Sequence, residues 1–318
     1  MRHLVALAGG VGGSRFARGL HAAAPDADLS VIVNTGDDVT LHGLHISPDV
    51  DTMLYALAGV VDEKRGWGPL GDTFHCMDAL ERLGGETWFR LGDVDLATHL
   101  RRTELLSAGW KPSQVTAELA TRLGISGVHI LPMTDAAVET WVELAEERRW
   151  VHFQEYFVRR RTDVAISAVD VRGLAECEPG PGMLESIEAA DAIFLCPSNP
   201  FVSIEPILRV PGVRAGIEAA RKRGVCVAAV SPLIGGATVK GPASRMLEEL
   251  GYPPTAAGVL RVYVGLVDVY LVDPVDRALA PEVARLGARP VVADALMRGR
   301  RGEARVARVM LKALRMLA

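Results

Sequence analysis

Short apolar runs recur along the chain at residues 3–8, 29–33, 127–131, 164–169, 192–196, 225–230, 267–272 and 290–292, and between them apolar positions return every three or four residues. Continuous aliphatic runs alternating with helical periodicity predict strand–helix units, and so a parallel sheet covered on both faces. The predicted fold class is α/β, a Rossmann-like parallel sheet in a three-layer α/β/α arrangement. Punctuation agrees: Pro211 opens a helix toward Lys222 before Gly224 stops it, and Pro242 opens another that ends near Gly251. From residue 53 to residue 124 the helical periodicity continues with no buried strand beyond a weak pattern at 86–91, which predicts a small helical insertion. The nucleotide-binding domain is then residues 1–52 with 125–318, interrupted by 53–124. The basic stretch 298–315 reads as an amphipathic helix whose arginines face solvent.

Composition narrows the partners. Of 318 residues, 35 are Lys or Arg and 39 are Asp or Glu, a net charge of -4, which argues against nucleic acid or an anionic membrane as the main partner. With 49% hydrophobic and 23% charged residues the chain reads as folded and globular. No apolar stretch approaches the ~18 residues that span a bilayer, and the first residues read as a buried strand rather than a secretion signal. Four scattered cysteines without C-x-x-C spacing point to a reducing, cytoplasmic compartment.

The first strand runs into Gly9-Gly10-Val11-Gly12-Gly13-Ser14-Arg15, after which helical spacing resumes at Phe16 and Leu20. A strand, a glycine turn and a helix N-terminus make an anion site, because the first helical amides have no intrahelical acceptor and glycine allows close approach. Gly10-x-Gly12 begins the dinucleotide fingerprint, but Arg15 occupies the third glycine position and no P-loop lysine follows. The loop is read as phosphate-binding, with Arg15 facing the phosphates; tight strand–helix packing is the alternative use of the same glycines.

The second strand ends in Asn34-Thr35-Gly36-Asp37-Asp38, and Asp49 and Asp51 follow closely. Carboxylates at a strand end beside a phosphate site suit Mg²⁺, which shares its oxygen ligands with substrate phosphates. Asp37, Asp38 and Asp51 are the metal candidates, whereas Asp49, next to Pro48 and before an apolar helical series, is expected to cap a helix. His42 and His45 lack a third zinc ligand. Two later strand ends, Pro197-Ser198-Asn199-Pro200 and Ser231-Pro232-Leu233-Ile234-Gly235, offer hydroxyl and amide groups on the same sheet edge, and Lys240 adds a cation nearby.

Together these residues resemble the 2-phospho-L-lactate transferase family of coenzyme F-420 biosynthesis. The resemblance rests on GGVGGSR, VNTGDD, ISPDVDT, EKRGWGPLGDTF, RLGDVDLATHL, HILPM, HFQEYFV, PSNPFVSI and SPLIGG and covers about residues 1–296. It implies a homodimer and a Mg²⁺-dependent transfer of a phospholactyl or phosphoenolpyruvyl group from a guanosine diphospho-linked donor to the terminal hydroxyl of the deazaflavin Fo, with GMP leaving. It further implies that Asp51 and Arg90 contact Fo, that the insertion contributes to the Fo site, and that Gly10, Gly12, Gly13, Ser14, Arg15, Asn34, Ser198, Asn199, Ser231 and Gly235 hold the nucleotide. Asp51 is the candidate catalytic residue, as metal ligand, orienter of the hydroxyl or proton acceptor.

Read without the resemblance, Arg90 and Asp93 form a surface pair, and Trp67 and Phe74 anchor the insertion core. His75, His99 and His152 read as partly buried, hydrogen-bonded histidines, none of them a catalytic base. The competing functions are a non-catalytic nucleotide-sugar-binding regulator of the gluconeogenesis-factor-like type and a nicotinamide-dependent dehydrogenase.

Overall fold

The computed structural model describes residues 2–315. Its centre is a seven-stranded sheet in the order Arg289–Val292, Val269–Val272, Cys226–Val230, Ala192–Leu195, His3–Ala8 (β1), Asp28–Val33 (β2), Val128–Pro132, and every adjacent pair is parallel. Within β1 the side chains alternate between the faces. Leu4, Ala6 and Ala8 join the core beneath helices Gly10–Ala23 (α1) and Pro48–Ala58 (α2), while Val5 and Leu7 join the core beneath the helices Met183–Ala189 and Val213–Lys222. The chain winds outward from β1 through β2, then returns to build the other half from Ala192–Leu195. The strand order therefore reverses beside β1, where the loops leaving β1 and Ala192–Leu195 open a crevice.

Helices His75–Arg82 (α3), Asp93–Ser107 (α4) and Pro112–Arg122 (α5) follow α2, and residues 86–91 form no strand. Ile46, Met77 and Leu91 form a small core of their own, joining α3 to the hairpin Val39–Leu41/Leu44–Ile46. The two-residue tip of that hairpin is His42-Gly43, both at positive φ, and His45 bonds Asp38.

One strand lies elsewhere than its pattern predicts. The run at 164–169 belongs to Ile166–Arg172, which pairs antiparallel with Glu139–Leu144 in a separate three-stranded sheet completed by Arg149–His152. The polar link 145–148 is too short for a parallel crossover, which needs about a dozen residues, so it forces a hairpin whose free edge then takes 166–172. Val142, Leu144, Val151, Phe153 and Ile166 pack this sheet onto Val202 and Met246, aiming Phe153, Gln154 and Phe157 at the crevice.

The C-terminal helix Gly299–Arg315 lies along α1. Arg18 of α1 makes a two-pronged bond to Glu303, at 2.8 and 2.7 Å, with Glu303 1% exposed. Among the described residues no helix is long and apolar enough to cross a membrane.

Candidate active site

A cavity of about 720 Å³ opens at the carboxyl ends of β1, β2, Ala192–Leu195 and Cys226–Val230. It is at the upper part of the range for small-molecule sites, roughly 300–1,000 Å³. One wall is the glycine turn and the two later strand-end loops; the other comes from α2, α4 and residues 64–68 and 88–91 of the insertion.

The glycine turn leads directly into α1, with Gly9 at its N-cap. Gly12 faces the main-chain oxygen of Pro197, and a Cβ on Gly13 would sit 2.7 Å from Ser198 Oγ and 3.0 Å from Ala8 Cβ. These two glycines let the helix meet the strand and the 197–199 loop, so the packing reading holds for them. Ser198 fixes that contact by donating to the Gly9 carbonyl (2.7 Å) and accepting from the Gly9 amide (3.1 Å). Gly10 and Gly12 line the cavity, as does Arg15, which donates to the Glu63 carbonyl at 3.2 Å. Gly13 and Ser14 face away from it, and Ser14 Oγ bonds the Val11 carbonyl.

The Gly10 amide donates to Asp49 Oδ1 at 2.8 Å, and the other Asp49 oxygen accepts from Asn34 Nδ2 at 3.0 Å. Asp49 is therefore no helix cap. Ser47 holds the N-cap position of α2, Pro48 starts the helix, and the Asp49 carboxylate crosses to the N-terminus of α1. Asn34 also donates to the Val202 carbonyl and accepts from the Gly36 amide, so it braces the wall from behind. Asp37 faces the cavity with one carboxylate oxygen buried and without a hydrogen-bond partner. Burial, and then the neighbouring charge of Asp49, push the Asp37 carboxyl well above its usual range; burial raises Asp49 to about 6. Asp38 lies off the main cavity, bound to Ser47 Oγ (2.8 Å) and His45 Nε2 (3.1 Å).

Asp51 reaches the cavity from α2, 5% exposed, and both its oxygens accept from Arg102 of α4, one at 3.0 Å. His99 Nδ1 stands 3.6 Å from Asp51, and Tyr55 donates to Asp95 at 2.7 Å. Asp95, His99 and Arg102 follow one another at four- and three-residue spacing, one face of α4; that spacing was the signal for Arg102, which sequence reasoning passed over. Arg90 lines the cavity, pairing with Asp78 at 2.7 Å and lying 5.1 Å from the Phe74 ring centre. Its partner is not Asp93, which accepts from the His75 and Cys76 amides at the start of α3.

Trp67 meets Phe74 edge-on at 6.3 Å, and Trp67, Trp88, Phe89, Phe153 and Phe157 give the insertion side an aromatic lining. Asn199 caps residues 200–204 by accepting from the Phe201 and Val202 amides, and Ser231 Oγ bonds within its own turn; both line the cavity. Gly235 does not, and its amide donates to Asp276. Among the described residues no cluster of three or more His, Cys, Asp or Glu is arranged to hold a metal, whereas Asp37 and Asp49 form a pair.

The crevice is thus acidic where α2 meets β2, cationic where Arg15, Lys64, Arg65 and Lys240 gather, and aromatic toward the insertion. This chain is 49% identical to the phosphoenolpyruvate transferase of Streptomyces coelicolor, over 92% of this chain and 91% of that protein. It is 38% identical to the 2-phospho-L-lactate transferase of Methanosarcina acetivorans, over 92% and 93%. A crystal structure of a UPF0052-family protein from Bacillus halodurans superposes with a TM-score of 0.64 at 18% identity, covering 98% of each chain, which speaks to fold alone. The sequence model of the 2-phospho-L-lactate transferase CofD family matches residues 4–312, so this chain is a transferase and belongs to that family.

Proposed function

We propose that this enzyme transfers a phosphoenolpyruvyl group from a guanosine diphospho-linked donor to the terminal hydroxyl of the deazaflavin Fo, releasing GMP, in coenzyme F-420 biosynthesis. The observation that carries this reading is the division of one cavity into a cationic, glycine-lined half and an aromatic half. A diphosphate fits the first and a flat ring the second. Phosphoenolpyruvate rather than phospholactate follows the nearer likeness, 49% identity to the Streptomyces enzyme against 38% to the Methanosarcina enzyme.

Displacement at phosphorus by a hydroxyl needs alignment and neutralisation of spreading charge more than a reactive side chain. Gly10, Gly12 and Arg15 hold the diphosphate, Asn199 and Ser231 border the nucleotide, and Arg90 holds the acceptor against Trp88 and Phe89. Asp51, held by Arg102, faces the acceptor side, where it orients the hydroxyl. Asp37 and Asp49 fit Mg²⁺: one buried oxygen lacks a partner, the Asp49 charge raises the cost of ionising Asp37, and this ion commonly takes one or two carboxylates with substrate phosphates. Bound there, Mg²⁺ supplies charge stabilisation to the leaving phosphate. The Asp51–Arg102 pair disfavours Asp51 as a metal ligand. The homodimer and a cytoplasmic location belong to the same proposal.

Mass spectrometry of a reaction holding Fo, Mg²⁺ and both donors tests it. A Mg²⁺-dependent Fo adduct of phosphoenolpyruvyl mass with GMP is expected; phospholactyl mass would change the donor, and no adduct would overturn the transfer. Light scattering of the purified protein reads the dimer.

A further inference from the structure

Residues 62–69 form a strap at the cavity mouth, closed by an isolated bridge between Val61 and Pro69 and pinned by Asp62, whose carboxylate accepts from the Lys64 and Arg65 amides. On the opposite side, Lys240 follows the short hairpin Leu233–Ile234/Ala237–Thr238. Its ammonium donates to the Arg65 main-chain carbonyl and so crosses the mouth. Gly66 sits at φ +81° between Lys240 Nζ and Val11 of α1, whose Cγ1 would be 3.2 Å from a Cβ there; both the turn and the space demand glycine. Among the described residues Lys240 has no carboxylate within ion-pair distance, and Arg15 reaches Glu63 only at 3.8 Å. Burial and the Arg15 charge both depress the Lys240 ammonium below its usual range. Two cations share one cavity wall beside the first turn of α1, and the carboxylates nearest them, Glu63 and Asp62, belong to the strap. Such an arrangement raises the local affinity for a polyanion.

We propose that Lys240 is a further donor-binding residue: with Arg15 it clamps the diphosphate over the first turn of α1, and its bond to the Arg65 carbonyl fastens the 62–69 strap over the occupied site. This rests on the nucleotide reading above. Phosphate binding and strap order are then one event, because the same ammonium serves both. Arg65 lies 5.3 Å from the Trp67 ring centre and 5.2 Å from that of Phe74, so a fixed strap also fixes part of the acceptor wall.

The test uses GDP, with guanosine as the probe lacking phosphates. In calorimetric titrations Lys240→Gln binds GDP roughly 10- to 100-fold more weakly than wild type, as expected for a lost charge-assisted bond. Guanosine affinity stays unchanged, and Lys240→Arg recovers most of the loss. Saturating GDP protects the bonds after Lys64 and Arg65 from trypsin in wild type and Lys240→Arg, but not in Lys240→Gln. Equal GDP affinity in wild type and Lys240→Gln, or equal weakening for guanosine, overturns the clamp. Retained protection in a GDP-saturated Lys240→Gln overturns the coupling. A folded wild type that binds no GDP instead removes the nucleotide reading, and the clamp with it.

Discussion

Arg102, from the middle of α4, holds both carboxylate oxygens of Asp51 in α2, and both side chains are almost entirely buried. The pair locks the insertion onto the sheet domain at the cavity wall. Burial works against the charged guanidinium, yet the Asp51 charge holds it above its ordinary pKa. Removing one partner leaves the other charge buried alone, which costs about 3–5 kcal/mol. Arg102→Met is expected to lose stability of that order in urea unfolding, and Arg102→Met with Asp51→Asn to recover part of it.

Asp51→Asn keeps one oxygen for Arg102 and the same volume. The variant is expected to fold with a stability loss toward the lower end of that ~3–5 kcal/mol range, since the amide oxygen still accepts from Arg102, while turnover of Fo falls at least about 100-fold if the carboxylate orients or deprotonates the hydroxyl. Steady-state kinetics with a melting curve separates the effects; full turnover would remove Asp51 from the reaction.

Asp49 titrates near 6 in the folded chain and near 3.9 when unfolded, so the folded form binds the proton more tightly. The stabilisation from that proton is complete below about pH 4 and is lost as pH rises through about 6. Asp37 is displaced in the same direction. Thermal unfolding between pH 4.5 and 7.5 is expected to show this loss, less of it in Asp49→Asn. Millimolar Mg²⁺ should raise the wild-type melting temperature at pH 7.5, where both groups ionise on binding, and have little effect at pH 4.5.

Gly12 packs against the Pro197 carbonyl, a main-chain atom that cannot rotate away. Gly12→Ala is expected to cost roughly 1–3 kcal/mol as overpacking and to push the 197–199 loop outward. Weaker GDP binding together with the stability loss would tie the loop to the nucleotide; stability loss alone would make the contact purely structural.

The parallel strands were legible because strands buried on both faces write uninterrupted apolar runs, as at 192–196 and 225–230. Residues 139–144 hide because one face is half-wet: Thr140, Val142 and Leu144 are buried while Glu139, Trp141 and Glu143 are not, and the alternation is short. The glycine turn lies at the crevice because a strand's carboxyl end in an open α/β sheet opens there. Asp49 was misread because its local surroundings, a proline and an apolar helix, describe a cap, and only the tertiary approach of α2 to α1 gives its carboxylate the Gly10 amide. Asn34 and Ser14 sit in the right motifs yet turn inward, a distinction of side-chain direction that spacing does not encode.

Glu303→Ala leaves the buried Arg18 with the Ala56 carbonyl and, as its one carboxylate among the described residues, Glu63, which is 43% exposed at its side chain. A loss of about 3 kcal/mol is expected in urea unfolding, with GDP affinity little changed once folded. A larger change in affinity than in stability would mean that the C-terminal helix shapes the crevice directly.

Arg18 and Glu303 are 285 residues apart, and β1 waits for Ala192–Leu195 before its second edge is paired. The helix that carries the glycine turn is therefore made long before the segments that cover it. Until residues 192–195 and 299–315 follow, its apolar flank, including Phe16, which meets Phe194 edge-on, is available to chaperones or to neighbouring nascent chains. A chain that stops shortly before residue 303 should therefore give aggregate rather than a shortened enzyme.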